Sequence, residues 1–152
     1  MIYIGIDPGL SGAWGLVDHD SKFVACGELP TKDKRVLTKE LRTMLSQAID
    51  GEDVGGICVE MVHAMPGQGV TSMFNFGRAT GAVEAVMESY TAPYHLVTPQ
   101  AWKKAFGLIG QEKDCSRQMA AVIWPTAKLN LKKHHGRADA LLLAKYAQEM
   151  AA

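Results

Sequence analysis

The stretch IYIGIDPGLSGAWGLVD, residues 2–18, decides the fold. Isoleucine and tyrosine up to Asp7 suit a strand, PGLSG supplies a tight turn, and AWGLVD reads as a second strand. HDSK then makes another turn into a third strand, KFVACGEL, so the chain opens as an antiparallel meander. The first strand ends on one bare carboxylate, Asp7. A carboxylate beside the core is costly unless it has a partner, so Asp7 needs a role. Capping the Pro-Gly turn is the structural role open to it. Binding something is the other.

Beyond the meander, apolar residues at Val36, Leu37, Leu41, Leu45, Ala48 and Ile49 predict a helix over residues 34–49, broken by GEDVGG. GICVEMV, residues 56–62, is an almost wholly apolar run, as a buried central strand would be. It too holds a single acid, Glu60. A second helix is expected over 70–88, and YHLV is a further strand. Thr98-Pro99 then starts a short helix to about residue 106, with Thr as N-cap and Pro at the first helical position. Another helix is expected over about 112–124, and a last one over GRADALLLAKYAQEMAA with Asp139 in its first turn. The order β-β-β-α-β-α-β-α-α-α describes a mixed five-stranded sheet, meander first and parallel crossovers afterwards, flanked by helices. That is the ribonuclease H-like α/β arrangement, and 152 residues suit one domain spanning residues 1–152.

With strands one and four as neighbours, Asp7 and Glu60 lie side by side, and a last helix across the sheet brings Asp139 to the same point. Clustered carboxylates repel unless a cation is present. Hard oxygen donors suit Mg²⁺ or Mn²⁺, and two such ions together serve phosphodiester hydrolysis. Asp139 alone is more often a first-turn acid complementing a helix dipole than a ligand.

The net charge is zero, but its distribution is uneven. Residues 1–100 hold seven Lys and Arg against twelve Asp and Glu, whereas residues 101–138 hold eight against two. Lys103, Lys104, Lys113, Arg117, Lys128, Lys132, Lys133 and Arg137, with His134 and His135, form a basic block suited to a phosphate backbone. No run of some twenty apolar residues is present, which argues against a membrane span. Three cysteines without C-x-x-C spacing, and no basic leader-like stretch, lead us to expect a reduced cytoplasmic protein.

IGIDPGLSGAWGLVD, ICVEMV, GRATGAVEAV and GRADALLLAKYA together resemble the corresponding segments of RuvC-type Holliday-junction resolvases, especially the short forms of bacteriophages. The likeness runs in order through nearly the whole chain. It implies a homodimer that cuts four-way DNA junctions by two symmetric nicks, in a bacterial or phage-infected cytoplasm, with divalent metal and no nucleotide cofactor. Asp7, Glu60 and Asp139 fall on three of the family's four metal-binding acidic positions. The fourth, three residues before the last acid, is Gly136 here. His135, one helical turn before Asp139, is the nearest replacement. The likeness also puts Lys113, with Lys103 or Lys104, near the scissile phosphate, and His63 in the loop that faces the junction centre. Arg117, Lys132, Lys133, His134 and Arg137 are expected to grip DNA. Gly77 and Gly81 in the 70–88 helix would permit close approach of a second copy, although a wholly internal helix reads much the same.

Rival readings remain in view. A two-domain actin- or sugar-kinase-like ATPase needs more chain than this and gives no reason for Glu60 or Asp139. A broader branched-DNA or flap endonuclease, and a non-catalytic junction binder on the same fold, stay open.

Overall fold

A computed structural model describes residues 1–152. Strands β1 (Ile2–Asp7), β2 (Ala13–Asp18) and β3 (Phe23–Glu28) form the expected antiparallel meander. A small hairpin of β4 (Thr31–Lys32) and β5 (Arg35–Val36) leads into α1 (Thr38–Ile49), and β6 (Val54–Glu60) then pairs parallel with β1. Helix α2 (Val70–Glu88) crosses to β7 (Tyr94–Val97), which is parallel to β6. Helices α3 (Pro99–Ala105), α4 (Cys115–Ile123) and α5 (His135–Ala151) complete the chain. The sheet order is β3-β2-β1-β6-β7, with β1 at its centre.

Strand parity sorts the core onto two faces. Ile2, Ile4 and Ile6 of β1, Trp14 and Leu16 of β2, and Ile57 and Val59 of β6 pack with Leu41 and Leu45 of α1 and Val83 and Met87 of α2. Tyr3, Val17 and Cys58 point the other way, into a core made with Trp102, Ala120 and the α5 residues Ala138, Leu141 and Leu142. Leu141, Leu142 and Leu143 are fully buried, each worth about 1.5–3 kcal/mol of transfer free energy. Helix α5 lies close to the sheet because glycines face it. A Cβ on Gly5 would stand 2.0 Å from the Ala140 carbonyl oxygen, and one on Gly15 would stand 2.7 Å from the Leu141 nitrogen. All three cysteines are free, and Cys58 is the buried one.

Four expected boundaries move. The helix predicted from residue 34 starts at Thr38, because Asp33 and Lys34 take left-handed φ of 52° and 58° and turn the chain into the hairpin. The central strand runs over Val54–Glu60 rather than 56–62, since Ile2 pairs with Val54 and Tyr3 with Gly56. The helix expected from about 112 begins at Cys115, after a turn closed by Cys115 N–H donating to the Glu112 carbonyl at 3.0 Å. Helix α5 opens at His135, which puts Asp139 fifth in it, beyond the first turn. The dipole explanation for that acid therefore falls.

Candidate active site

The site begins with strand parity. Ile6 lies opposite Val59 in the parallel β1–β6 pair, so the next residues, Asp7 and Glu60, end adjacent strands side by side. Both fall on the parity of Tyr3 and Cys58, the face that α5 covers. Asp139 comes down from α5 onto them. In a low-dielectric pocket this proximity shows in the acidities. Burial first, then the Glu60 and Asp139 carboxylates, push the Asp7 carboxyl from 3.8 up to about 8, with Lys103 and Lys113 opposing the rise. Glu60 is raised by burial and by Asp139, and Asp139 by burial.

Neighbours of the acids set their orientation. The buried Trp102 indole N–H, on the α3 helix that Thr98 caps, donates to Glu60 Oε2 at 2.8 Å and tempers its rise. The Ser116 hydroxyl donates its one proton to the Lys113 carbonyl at 3.3 Å, and Asp139 Oδ1 is left buried without a donor. An orphaned carboxylate oxygen among mutually repelling acids suits a hard divalent cation. His135 sits one turn before Asp139, on the same side of α5. Gly136 fills the remaining place. A Cβ there would lie 3.5 Å from Asp7 Oδ2, an ordinary contact, so the position faces the site and simply lacks a side chain.

Two hollows lie at the site. A cleft of about 460 Å³ is lined by Asp7, the turn after it, His135, Lys34, Asn75 and Phe76. A smaller hollow of about 160 Å³ is lined by Lys103, Lys113 and Ser116. Of the two adjacent lysines, Lys103 is the one beside the acids, and Lys104 points to solvent. Lys128, Lys132 and Lys133 are exposed and take part in no ion pair. His63 is exposed in the segment after Glu60.

Three residues expected to grip DNA also have partners within the fold. Arg117 forms a bidentate pair with Asp114 (2.8 and 2.7 Å) and donates to the Leu129 carbonyl. Arg137 pairs with Glu28 at 2.6 Å. His134 is buried, and its Nδ1 accepts from the Leu131 N–H at 3.3 Å; burial and Arg137 lower its pKa. Another acidic set, Asp18, His19 and Asp20, has ligand atoms within 4.8 Å of one another, but it sits in the β2–β3 turn. There Asp18 Oδ1 accepts the Asp20 and Lys22 N–H groups, both at 2.9 Å, as a turn-capping aspartate does.

Sequence reading missed Trp102, Ser116 and Lys34. Trp102 reads as an ordinary core aromatic and Ser116 as a helix-surface serine. Lys34 lies in a region whose overall charge is acidic, so the charge count hid it.

A model of the family described as crossover junction endodeoxyribonuclease RuvC matches residues 3–145. The chloroplastic Holliday junction resolvase MOC1 of Chlamydomonas reinhardtii is 33% identical over 92 residues, 59% of this chain and 10% of that protein, so the chain spans about a tenth of this curated relative. T. thermophilus RuvC in complex with a Holliday junction substrate superposes with a TM-score of 0.67 at 19% identity, covering 95% of this chain and 90% of that one. A second Thermus thermophilus RuvC structure gives 0.68 at 19% identity, covering 95% and 91%. Both carry the same fold.

Proposed function

The chain belongs to the RuvC family of crossover junction endodeoxyribonucleases, and on that premise we propose that residues 1–152 act as one metal-dependent nuclease unit that resolves four-way DNA junctions. The observation that carries this is the convergence of Asp7, Glu60 and Asp139 under α5, with Lys103 and Lys113 beside them. Asp7, Glu60 and Asp139, with His135, would hold Mg²⁺ or Mn²⁺, two ions per site. When bound, such ions activate a water and neutralise charge on a phosphodiester. The protein's own part is orientation and charge. Trp102 holds Glu60 in place, and the ammonium groups of Lys103 and Lys113 stabilise negative charge growing on the phosphate. Where His135 does not bind metal, it would instead accept or give a proton at the Asp139 side. Lys104, Lys132 and Lys133 would add backbone contacts, and His63 would face the junction centre.

Two equivalent strands must be cut, which a twofold dimer suits. Val70, Phe74, Gly77, Gly81 and Ala85 of α2 form one exposed stripe, with Val70 86% and Phe74 65% exposed. Helix α2 thus supports both expected roles: its other side, at Ala79, Val83 and Met87, is core. We propose the stripe as the homodimer contact; a sedimentation mass of one chain at working concentration would remove it. The setting would be a bacterial or phage-infected host cytoplasm, and no helix is long and apolar enough to cross a membrane.

The test is a labelled synthetic four-way junction with Mg²⁺, with Mn²⁺ and with chelator, for wild type and Glu60→Gln. Paired nicks that need metal and vanish in the variant, with binding retained, are expected. Nicks confined to flaps or forks would make the protein a broader branched-DNA nuclease. Gly136 favours a second reading, a non-catalytic junction binder, because the site lacks one side chain beside Asp7. Tight binding without cutting under any metal would establish that reading instead.

A further inference from the structure

The hairpin β4–β5 presents a lysine where the backbone would rather have glycine. Its strands pair Thr31 with Val36 and Lys32 with Arg35, so Asp33 and Lys34 alone make the turn. Both have left-handed φ, 52° and 58°, the pattern of a two-residue type I′ turn. Aspartate tolerates that region, and glycine is the usual second residue. A lysine there is strained, and such strain is found where side-chain position matters. The hairpin is also firmly mounted. Val36 is buried in the core beneath it, and the Leu37 N–H donates to the Pro30 carbonyl at 2.8 Å.

Lys34 lines the cleft of about 460 Å³ together with Asp7 and His135. Its ammonium takes part in none of the molecule's ion pairs. The neighbouring Lys32 and Arg35 line a different hollow. Lys103 and Lys113 line the smaller hollow, and their charges act on Asp139. The two hollows therefore each carry cations that no ion pair engages: Lys34 in the cleft that Asp7 lines, and Lys103 and Lys113 in the other. A DNA strand has phosphates on both sides of the one being cut, and each needs a counter-charge if the strand is to lie still over the acids.

We infer that the β4–β5 hairpin is a strand-holding arm, with Lys34 gripping a backbone phosphate of the cut strand in the cleft that Asp7 and His135 line, a different hollow from that of Lys103 and Lys113. This rests on the nuclease reading of the site. The contact carries no base information and acts by fixing the strand's path.

Lys34→Gly separates this contact from a merely structural role, since glycine suits the turn better than lysine does. Junction binding is measured in chelator, and single-turnover cutting in Mg²⁺, for wild type, Lys34→Gly and Lys34→Arg. Lys39→Ala, an exposed lysine outside the cleft, is the control. We expect Lys34→Gly to keep or raise the melting temperature, to weaken binding alike on junctions of different sequence, and to lower the slope of log K against log salt by about one per engaged lysine. Arginine should restore binding. Replacing single phosphates of the cut strand by neutral methylphosphonates should reveal one position, flanking the cut, whose penalty in wild type disappears in Lys34→Gly. Unchanged affinity, salt slope and methylphosphonate profile in Lys34→Gly would overturn the arm while leaving the acidic site standing. Wild type that neither binds nor cuts junctions would overturn the nuclease reading, and the arm with it.

Discussion

Asp7→Asn should make the metal-free protein more stable while abolishing cutting. The folded-state pKa of Asp7 is raised from 3.8 to about 8, so between those values the folded chain holds a proton that the unfolded chain has released. Stability from this group is therefore complete below pH 3.8 and is lost as pH rises to about 8. At ~1.36 kcal/mol per pH unit, ionising Asp7 in the fold costs roughly 5–6 kcal/mol more than in the unfolded chain. Asp7 borders an open cleft, where water and counter-ions screen the charge. Roughly half should register, about 2–3 kcal/mol. An amide there removes that cost and part of the repulsion on Glu60 and Asp139. For a chain of this size it would raise the melting temperature by about 4–12 °C. Thermal melts in chelator at pH 4 and pH 8.5 test this: near-equal stability at pH 4, and Asp7→Asn clearly higher at pH 8.5. Saturating Mg²⁺ should narrow the gap by stabilising wild type alone. Equal or lower stability of Asp7→Asn at pH 8.5 would refute the electrostatic account of the site.

Trp102→Phe removes the donor to Glu60 Oε2, so Glu60 should become harder to ionise. We expect a ten- to hundredfold loss of cutting rate or metal affinity, the acidic limb of the pH–rate profile moving up, and junction binding unchanged. Gly5→Ala would drive a methyl into the Ala140 carbonyl oxygen, a backbone atom that cannot turn aside. It should cost at least about 3 kcal/mol in denaturant unfolding and separate Asp139 from Asp7. Gly136→Asp fits the space beside Asp7 and should tighten divalent-metal binding by calorimetry, while lowering metal-free stability at pH 8.5 through like-charge repulsion.

Fold and site were legible in the sequence to different depths. Period-2 alternation in IYIGID and ICVE already puts Ile4, Ile6, Ile57 and Val59 on one face and Asp7 and Glu60 on the other, because parity is a local property of a strand. Turn and cap chemistry at PGLSG and Thr98-Pro99 is local too, and those elements stand where the sequence puts them. The hairpin at Asp33-Lys34 was not legible, since lysine is not a usual second residue of a left-handed turn pair and the following helical stripe overran it. Which cations are free also depends on partners distant in sequence: Arg137 is engaged by Glu28, 109 residues earlier. The depth of the acidic site came only from packing. Gly5 and Gly15 admit α5 so close that Asp139 reaches the strand ends, and there burial and three converging carboxylates, rather than any one residue's chemistry, set the charge a cation must answer.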